Sequence, residues 1–174
     1  LITSSAASDV YKRQYWDRVA EESLDPVTKE KDFQGYKIYR ATDPNFNDVR
    51  NITDANGLIQ GYSTLAQFDK KDEIKGYFYP SKNLFQDTKG YSYYLGDDSG
   101  LIHSYIDNDV QNGRTYYYAL VAYDHGDEEK DIFPSENSKF ISVLPTGEII
   151  TDQNTAYITP TSSAAGYSLN DTIK

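Results

Sequence analysis

The run RTYYYALVAYD, residues 114–124, leaves the fewest choices of fold, because tyrosine, valine and other aromatic or β-branched residues favour extended backbone. Alternate residues of a strand point to opposite faces. One face of this run carries Tyr116, Tyr118, Leu120 and Ala122, and the other carries Tyr117, Ala119, Val121 and Tyr123. Both faces are largely apolar, which predicts a central strand that is covered on both sides.

Shorter runs of the same kind recur along the chain between clusters of Gly, Asn, Asp and Pro, whereas helical periodicity is weak. This pattern is typical of an all-β protein. The other predicted strands cover residues 15–19, 35–41, 63–69, 77–79, 104–107 and 138–144. In the strand at 35–41, Tyr36 and Ile38 share one face, and Lys37 and Tyr39 share the other.

The N-terminal residues 4–14, SSAASDVYKRQ, are small, polar and without pattern, unlike the segment YWDRVAEES that follows them. Translated back into codons, they resemble a transposase sequencing adapter. We therefore expect residues 1–14 to be foreign to the protein, so that its first strand is missing. Any strand formed by residues 4–14 would then fill the place of the missing one. The alternative is a genuine disordered N-terminal arm.

Several further segments resemble the fibronectin type III family. Trp16 stands where that family carries an inward-facing tryptophan, and GYKIYR at residues 35–40 is similar to its third strand. The most specific segment is Y-x-D-x-x-V-x-x-G-x-x-Y-x-Y-x-L-x-A-x-D at residues 105–124, and PSENSKFISVLPTG resembles the final strand and exit. The resemblance implies that Tyr116 forms the family's tyrosine corner, in which the ring is buried and the hydroxyl bonds to backbone a few residues upstream.

The resemblance implies an immunoglobulin-like β-sandwich over residues 15–146, followed by a linker or the start of another module at residues 147–174. The segment between the third strand and the Tyr105 strand is longer than the family needs, which implies an insertion at about residues 43–103. Gln14 also departs from the family, because an apolar residue normally stands two places before the tryptophan. The expected core residues are Trp16, Tyr36, Ile38, Tyr116, Tyr118, Leu120 and Ala122.

The composition excludes several classes of function. The net charge of −10 argues against nucleic-acid binding, which needs clustered Lys and Arg to replace the counterions of phosphates. No apolar run approaches the roughly 20 residues of a membrane-spanning helix, so we expect no membrane insertion of this segment. Cysteine is absent, and the two histidines, His103 and His125, lie on or beside predicted loops. We therefore expect no enzymatic activity, and no cofactor unless calcium binds.

A calcium site is one interpretation of the acidic turn after the third strand. Four residues there have the spacing of oxygen ligands in a calcium-binding loop: Asp43, Asn45, Asn47 and Asp54. However, Asp48 stands where such a loop requires glycine, and Pro44 stiffens the backbone. Asp and Asn are also ordinary turn residues, because their side chains bond to nearby backbone groups. The sequence is compatible with a calcium site and with plain turns.

The tyrosines of the insertion raise a second binding interpretation, in which exposed rings stack on the faces of sugars. The candidates are Tyr77, Tyr79, Tyr91 and Tyr93. The alternative is that alternating tyrosines are half-buried strand residues, since tyrosine favours such positions.

The function expected from the resemblance is non-catalytic. Such modules occur in large secreted or cell-surface bacterial proteins, where this one would be a structural or adhesive spacer outside the cell. Its partners would be the neighbouring domains of the same chain and a polysaccharide or cell-surface protein. Two alternatives stay open: a carbohydrate-binding module that uses the Tyr-rich insertion, and an accessory domain of a secreted hydrolase.

Overall fold

The computed structural model describes residues 2–6, 12–25, 29–79 and 92–161, and almost all of its regular structure is β-strand. The strands in these ranges are β1 Ile2–Ala6, β2 Lys12–Trp16, β3 Phe33–Ala41, β4 Ile52–Thr53, β5 Ile59–Gly61, β6 Ala66–Asp69, β7 Gly76–Tyr77, β8 Tyr94–Gly96, β9 Ser104–Asp107, β10 Tyr116–Asp124, β11 Ile141–Val143, β12 Ile149–Thr151 and β13 Thr155–Ile158. Short 3-10 turns cover Val19–Glu22 and Asn47–Val49. Within the same ranges, no helix is long and apolar enough to cross a membrane.

The strands form two main antiparallel sheets. A four-stranded sheet has the order β13-β10-β3-β6, and a three-stranded sheet has the order β1-β2-β9. Ribbons of two strands complete the described part of the chain: β4-β5, β7-β8 and β11-β12. The two main sheets share one apolar core, so the predicted all-β sandwich is confirmed.

The central position predicted for β10 is confirmed. This strand pairs with β3 on one side, where Leu120 lies opposite Ile38, and with β13 on the other, where Tyr118 lies opposite Ala156. It is buried along nearly its whole length. Apolar residues on both faces of β10 are therefore required, because neither face meets solvent.

The core between the two sheets is built on one face of β3 and β10. Trp16 reaches it from β2, and its indole packs edge-on against the Tyr36 ring and stacks with the Phe68 ring. Ala122 is half-buried and packs against this cluster. The buried members are Trp16, Phe33, Tyr36, Ile38, Tyr116, Tyr118 and Leu120.

Tyr116 has the hydrogen bond that the family resemblance implied. Its buried hydroxyl accepts a hydrogen bond of 2.9 Å from the backbone N–H of Gln111, which precedes it by five residues. The bond ties the loop between β9 and β10 to the start of β10. It also satisfies a phenol hydroxyl that would otherwise lose a hydrogen bond on burial.

The opposite face of the four-stranded sheet is covered by the segment predicted as an insertion and by residues that follow β10. One cluster on this face holds Tyr39, Ala41, Phe46, Tyr117, Ala119, Val121 and Ile141, and a second holds Phe78, Tyr93, Leu95 and Tyr123. The insertion also supplies β6, which pairs with β3 so that Phe68 lies opposite Tyr36. Part of the predicted insertion is therefore the edge strand of the main sheet.

The N-terminal strand differs from its prediction in both bounds. It begins at Lys12 instead of Tyr15, and Val19 lies beyond its end, exposed in a 3-10 turn. β1 pairs along the whole of β2, and β2 pairs with β9 on its other side. Residues of the predicted foreign leader therefore occupy strand positions in the smaller sheet.

The C-terminal part of the sandwich also lies further along the chain than predicted. The strand expected at residues 138–144 is β11, which pairs with β12 and not with β10. The strand beside β10 is β13, inside the segment that we expected to be a linker or another module. Residues 155–158 therefore complete the four-stranded sheet, because their backbone pairs with the open edge of β10.

Candidate functional site

A cavity of about 470 Å³ lies on the face of the four-stranded sheet that the insertion covers. Its residues come from β3, from the insertion and from the segment after β10. Six rings line it: Tyr39, Tyr62, Tyr77, Tyr93, Tyr94 and Phe133. The charged and amide side chains in its lining are Lys37, Glu136, Gln60 and Gln67.

An ion pair forms the floor of the cavity. Lys37 Nζ lies 3.1 Å from Glu136 Oε1, and the two side chains are only 7% and 19% exposed. The alternation of β3 places Lys37 and Tyr39 on this face, as predicted, because Tyr36 and Ile38 point into the core between the sheets. Burial of both charges requires that each has partners.

Hydroxyl groups supply those partners to the carboxylate. The Tyr39 hydroxyl lies 2.9 Å from both carboxylate oxygens of Glu136, and the Tyr93 hydroxyl donates to Oε1 at 2.7 Å. The ammonium group of Lys37 lies 3.6 Å from the centre of the Tyr93 ring and 4.8 Å from that of Tyr123. Cation–π attraction therefore adds to the ion pair.

Burial and the ion pair have opposite effects on the pKa values of Lys37 and Glu136. Burial lowers the pKa of Lys37 to about 8, and Glu136 opposes this shift. Burial raises the pKa of Glu136, but the Lys37 charge and the hydrogen bonds from Tyr93 and Tyr39 outweigh it, so the pKa is below its usual value. Burial and the carboxylate raise the pKa of Tyr93. At neutral pH Lys37 and Glu136 are therefore both charged, and Tyr93 is protonated.

A tight turn holds the insertion in the position that closes this cluster. The Asp69 carboxylate, at the end of β6, accepts hydrogen bonds from the backbone N–H groups of Asp98 and Ser99 at 2.6 and 2.9 Å. Gly96 has a φ of +130°, and a Cβ at this position would overlap the Asp69 carboxylate. The sequence LGDDSG after Tyr94 therefore fixes β8 beside β6, and Tyr93 on the Glu136 carboxylate.

The polar groups of the cluster bond to one another. Glu136 is hydrogen-bonded to Lys37, Tyr39 and Tyr93, so its carboxylate is held in one position and is not a free general base. Among the residues that the structure describes, no group of three or more His, Cys, Asp or Glu side chains is placed to hold a metal ion. The arrangement links β3, the insertion and the segment after β10.

Three of the four predicted sugar-stacking tyrosines lie within the described residues, and their environments differ. Tyr77 lines the cavity with 53% of its surface exposed, and its ring lies 5.1 Å from that of Tyr94. Tyr79 is 72% exposed but lies outside the cavity lining. Tyr93 does not fit the prediction, because it is buried and Lys37 covers its ring face. Tyr91 lies outside the described residues.

The four predicted calcium ligands lie in two separate turns. The Asp43 carboxylate accepts hydrogen bonds from the backbone N–H groups of Asn45 and Asn47 and from the Asn47 side chain. The Asp54 carboxylate accepts hydrogen bonds from residues 56, 58 and 60 in the β4-β5 ribbon. Each carboxylate satisfies its own turn, as the alternative interpretation of these residues implies.

The ion pair itself was missed by sequence reasoning. Lys37 and Glu136 are separated by 99 residues, and no local pattern indicates that one is the partner of the other. The available sign was Lys37 beside Tyr39 on one face of the predicted strand at 35–41, because a lysine that becomes buried there requires a counter-charge.

Comparison with known proteins gives no match: no protein-family model, no curated protein and no solved structure is significantly similar to this chain.

Proposed function

We propose that the chain is a fibronectin type III-like module that acts as a non-catalytic structural or adhesive spacer in a large exported bacterial protein. Three observations support the finer fold. The sandwich has a three-stranded and a four-stranded sheet, as immunoglobulin-like sandwiches do. Trp16 lies in the core between the sheets, and the Tyr116 hydroxyl makes the bond of a tyrosine corner.

The observation that carries the proposed function is the cluster around the Lys37–Glu136 pair. It joins the central strand β3, the insertion through Tyr93 and the segment after β10 through one carboxylate. A spacer holds its neighbours at a fixed separation only when its own parts do not move relative to one another. The cluster contributes to that property. Opening the segment after β10 separates Glu136 from Lys37, and opening the insertion removes the Tyr93 hydroxyl from Glu136 and the Tyr93 ring from Lys37.

The same cluster explains why a long insertion is compatible with a rigid module. Phe78, Tyr93 and Leu95 are buried against Tyr123 of β10, and the hydroxyl of Tyr123 donates to the backbone oxygen of Leu95. The described part of the insertion is therefore attached to the sheet by apolar burial, by hydrogen bonds and by the contact of Lys37 with the Tyr93 ring. This part adds a layer to the sandwich.

The proposal is tested by pulling the chain between two reference modules in single-molecule force spectroscopy. We expect one rupture that releases the sheets and the insertion together. Glu136→Gln removes the charge that balances Lys37 and costs about 3 kcal/mol or more, so the insertion should open first, at a lower force. Glu129→Gln removes an exposed carboxylate and serves as the control.

Two outcomes contradict the proposed role. One is a wild-type chain in which the insertion extends separately at low force before the sheets separate. The other is a Glu136→Gln variant that ruptures at the same force, and in the same single step, as Glu129→Gln. Either result would show that the buried cluster does not make the module mechanically continuous.

A further inference from the structure

Some side chains that line the cavity have no part in the proposed structural role. The ion pair and the hydroxyls of Tyr39 and Tyr93 form its floor and satisfy one another. Above them, the rings of Tyr77 and Tyr94 pack at 5.1 Å with a tilt of 55°, and Tyr77 is half-exposed. These rings form an aromatic wall that remains open to solvent. The volume of the cavity, about 470 Å³, lies within the range of small-ligand sites, roughly 300–1,000 Å³.

The charges around the cavity do not favour an ionic ligand. A cationic ligand would meet the ammonium group of Lys37, and Lys139 already lies 3.6 Å from the centre of the Tyr62 ring. An anionic ligand would meet the Glu136 carboxylate on a chain of net charge −10. The one positive and one negative charge in the lining cancel each other, which leaves an uncharged ligand as the one that fits.

Two amide side chains give the cavity directional polar groups. Gln67 Nε2 donates to the Tyr123 hydroxyl at 2.8 Å and to the backbone oxygen of Tyr94 at 3.3 Å. Gln60 Nε2 donates to Asp54 Oδ2 at 3.0 Å. These bonds fix the orientation of both amides, and their oxygens accept no hydrogen bond within the described residues. Two oriented acceptors beside aromatic rings suit a ligand that has hydroxyl donors and an apolar face.

We propose that this cavity binds a neutral saccharide. The rings of Tyr77 and Tyr94 contact the apolar C–H face of a pyranose, and the side-chain oxygens of Gln60 and Gln67 accept hydrogen bonds from its hydroxyls. This binding activity goes beyond the structural role, because it uses side chains that the buried cluster does not need. It would make the module adhesive towards a neutral polysaccharide.

The test is isothermal titration calorimetry of the whole chain with single defined probes. The neutral probes are cellohexaose, xylohexaose, mannohexaose and maltohexaose, and the charged probes are hexagalacturonate and chitosan hexaose. We expect at least one neutral hexasaccharide to bind and neither charged one to bind. Failure of all four neutral probes, or equal binding of a charged probe, would overturn the proposal.

Matched variants locate the binding. Tyr77→Ala removes an exposed ring from the cavity wall, and we expect about tenfold weaker binding of the neutral probe. Tyr79→Ala removes an exposed ring two residues away that lies outside the cavity, and we expect unchanged affinity. Equal losses in both variants would contradict the assignment. The unfolding midpoint of Tyr77→Ala should equal that of the wild type, which separates lost binding from a failure of the structural role.

Discussion

Gln14 on β2 has an unfavourable environment for a polar side chain. It is completely buried, yet its amide oxygen and nitrogen make no hydrogen bond within the described residues. It lies two residues before Trp16, so both side chains face the core between the sheets. Burial of an unpaired amide costs about 1–3 kcal/mol in proteins. This cost fits the expectation that an apolar residue belongs at this position.

Replacing Gln14 with leucine should stabilise the chain, because leucine has a similar volume and no polar group to desolvate. We expect Gln14→Leu to raise the free energy of unfolding by about 1–3 kcal/mol, measured by urea denaturation. Gln153→Leu is the control, since Gln153 is exposed and the same exchange there should change stability little. An unchanged or lowered midpoint for Gln14→Leu would show that the buried amide is not unfavourable.

At the scale of elements, the short edge strand β13 places the end of the sandwich after residue 146, because it pairs with β10. Its backbone pairs with β10, and Ala156 and Ile158 pack against the core between the sheets. The Thr155 hydroxyl is buried and donates to the backbone oxygen of Phe140. These contacts make residues up to 158 part of the same cooperative unit as β10.

Truncation tests this boundary directly. A chain that ends at residue 146 lacks β12 and β13. Its free energy of unfolding should fall by about 3 kcal/mol or more, because Ala156 and Ile158 no longer cover the core and the edge of β10 is unpaired. A chain that ends at residue 161 keeps both strands and should have the wild-type midpoint in thermal unfolding followed by circular dichroism. Equal midpoints for the two truncated chains would contradict the boundary drawn from the structure.

The strands that sequence reasoning predicted well are those with a strong internal pattern. β10 and β3 alternate over nine residues each, so both faces could be assigned before any contact was known. β13 has four residues at an open edge, where backbone hydrogen bonds and few side chains determine the pairing, and no pattern of that length is distinctive.

The candidate site was less predictable than the fold, because it depends on contacts between distant residues. Alternation placed Lys37 on the outer face of β3, but the sequence could not show that Glu136 would approach it. Tyrosine spacing likewise could not distinguish Tyr93, which is buried, from Tyr77, which is exposed. That difference is set by the turn after β8, where Asp69 and Gly96 bring two strands together.

At the scale of the whole molecule, hydroxyls of buried tyrosines donate hydrogen bonds to carboxylates on both faces of the four-stranded sheet. Tyr118 donates to Asp107 at 2.7 Å in the core between the sheets, and Tyr93 donates to Glu136 at 2.7 Å on the other face. Burial raises the pKa of both phenols, and the carboxylates add to the shift. The pKa values of Tyr36 and Tyr123 are raised by burial as well.

These shifts predict how stability depends on pH. An unfolded tyrosine loses its proton near pH 10, whereas these phenols keep theirs in the folded chain. Their stabilising contribution is therefore complete below pH 10 and is lost as the pH rises through their folded pKa values. Lys37 has the opposite effect. Between its folded pKa of about 8 and its ordinary value of 10.5, the free energy of unfolding rises with pH, since the folded chain has already lost a proton that the unfolded chain still holds.

Burial lowers the pKa of Lys139 as well as that of Lys37, and these two lysines oppose the tyrosines with raised pKa values. The free energy of unfolding should therefore be level or rise slightly from pH 8 to 10 and fall steeply above pH 10. The measurement is urea denaturation at intervals from pH 7 to 11.5, with tyrosinate absorbance at 295 nm recorded in parallel. The buried tyrosines Tyr36, Tyr93, Tyr118 and Tyr123 should titrate only together with unfolding, so the rise in tyrosinate absorbance should coincide with the loss of the circular dichroism signal. If these tyrosines titrated near pH 10 while the folded signal persisted, the buried phenol network would not stabilise this fold.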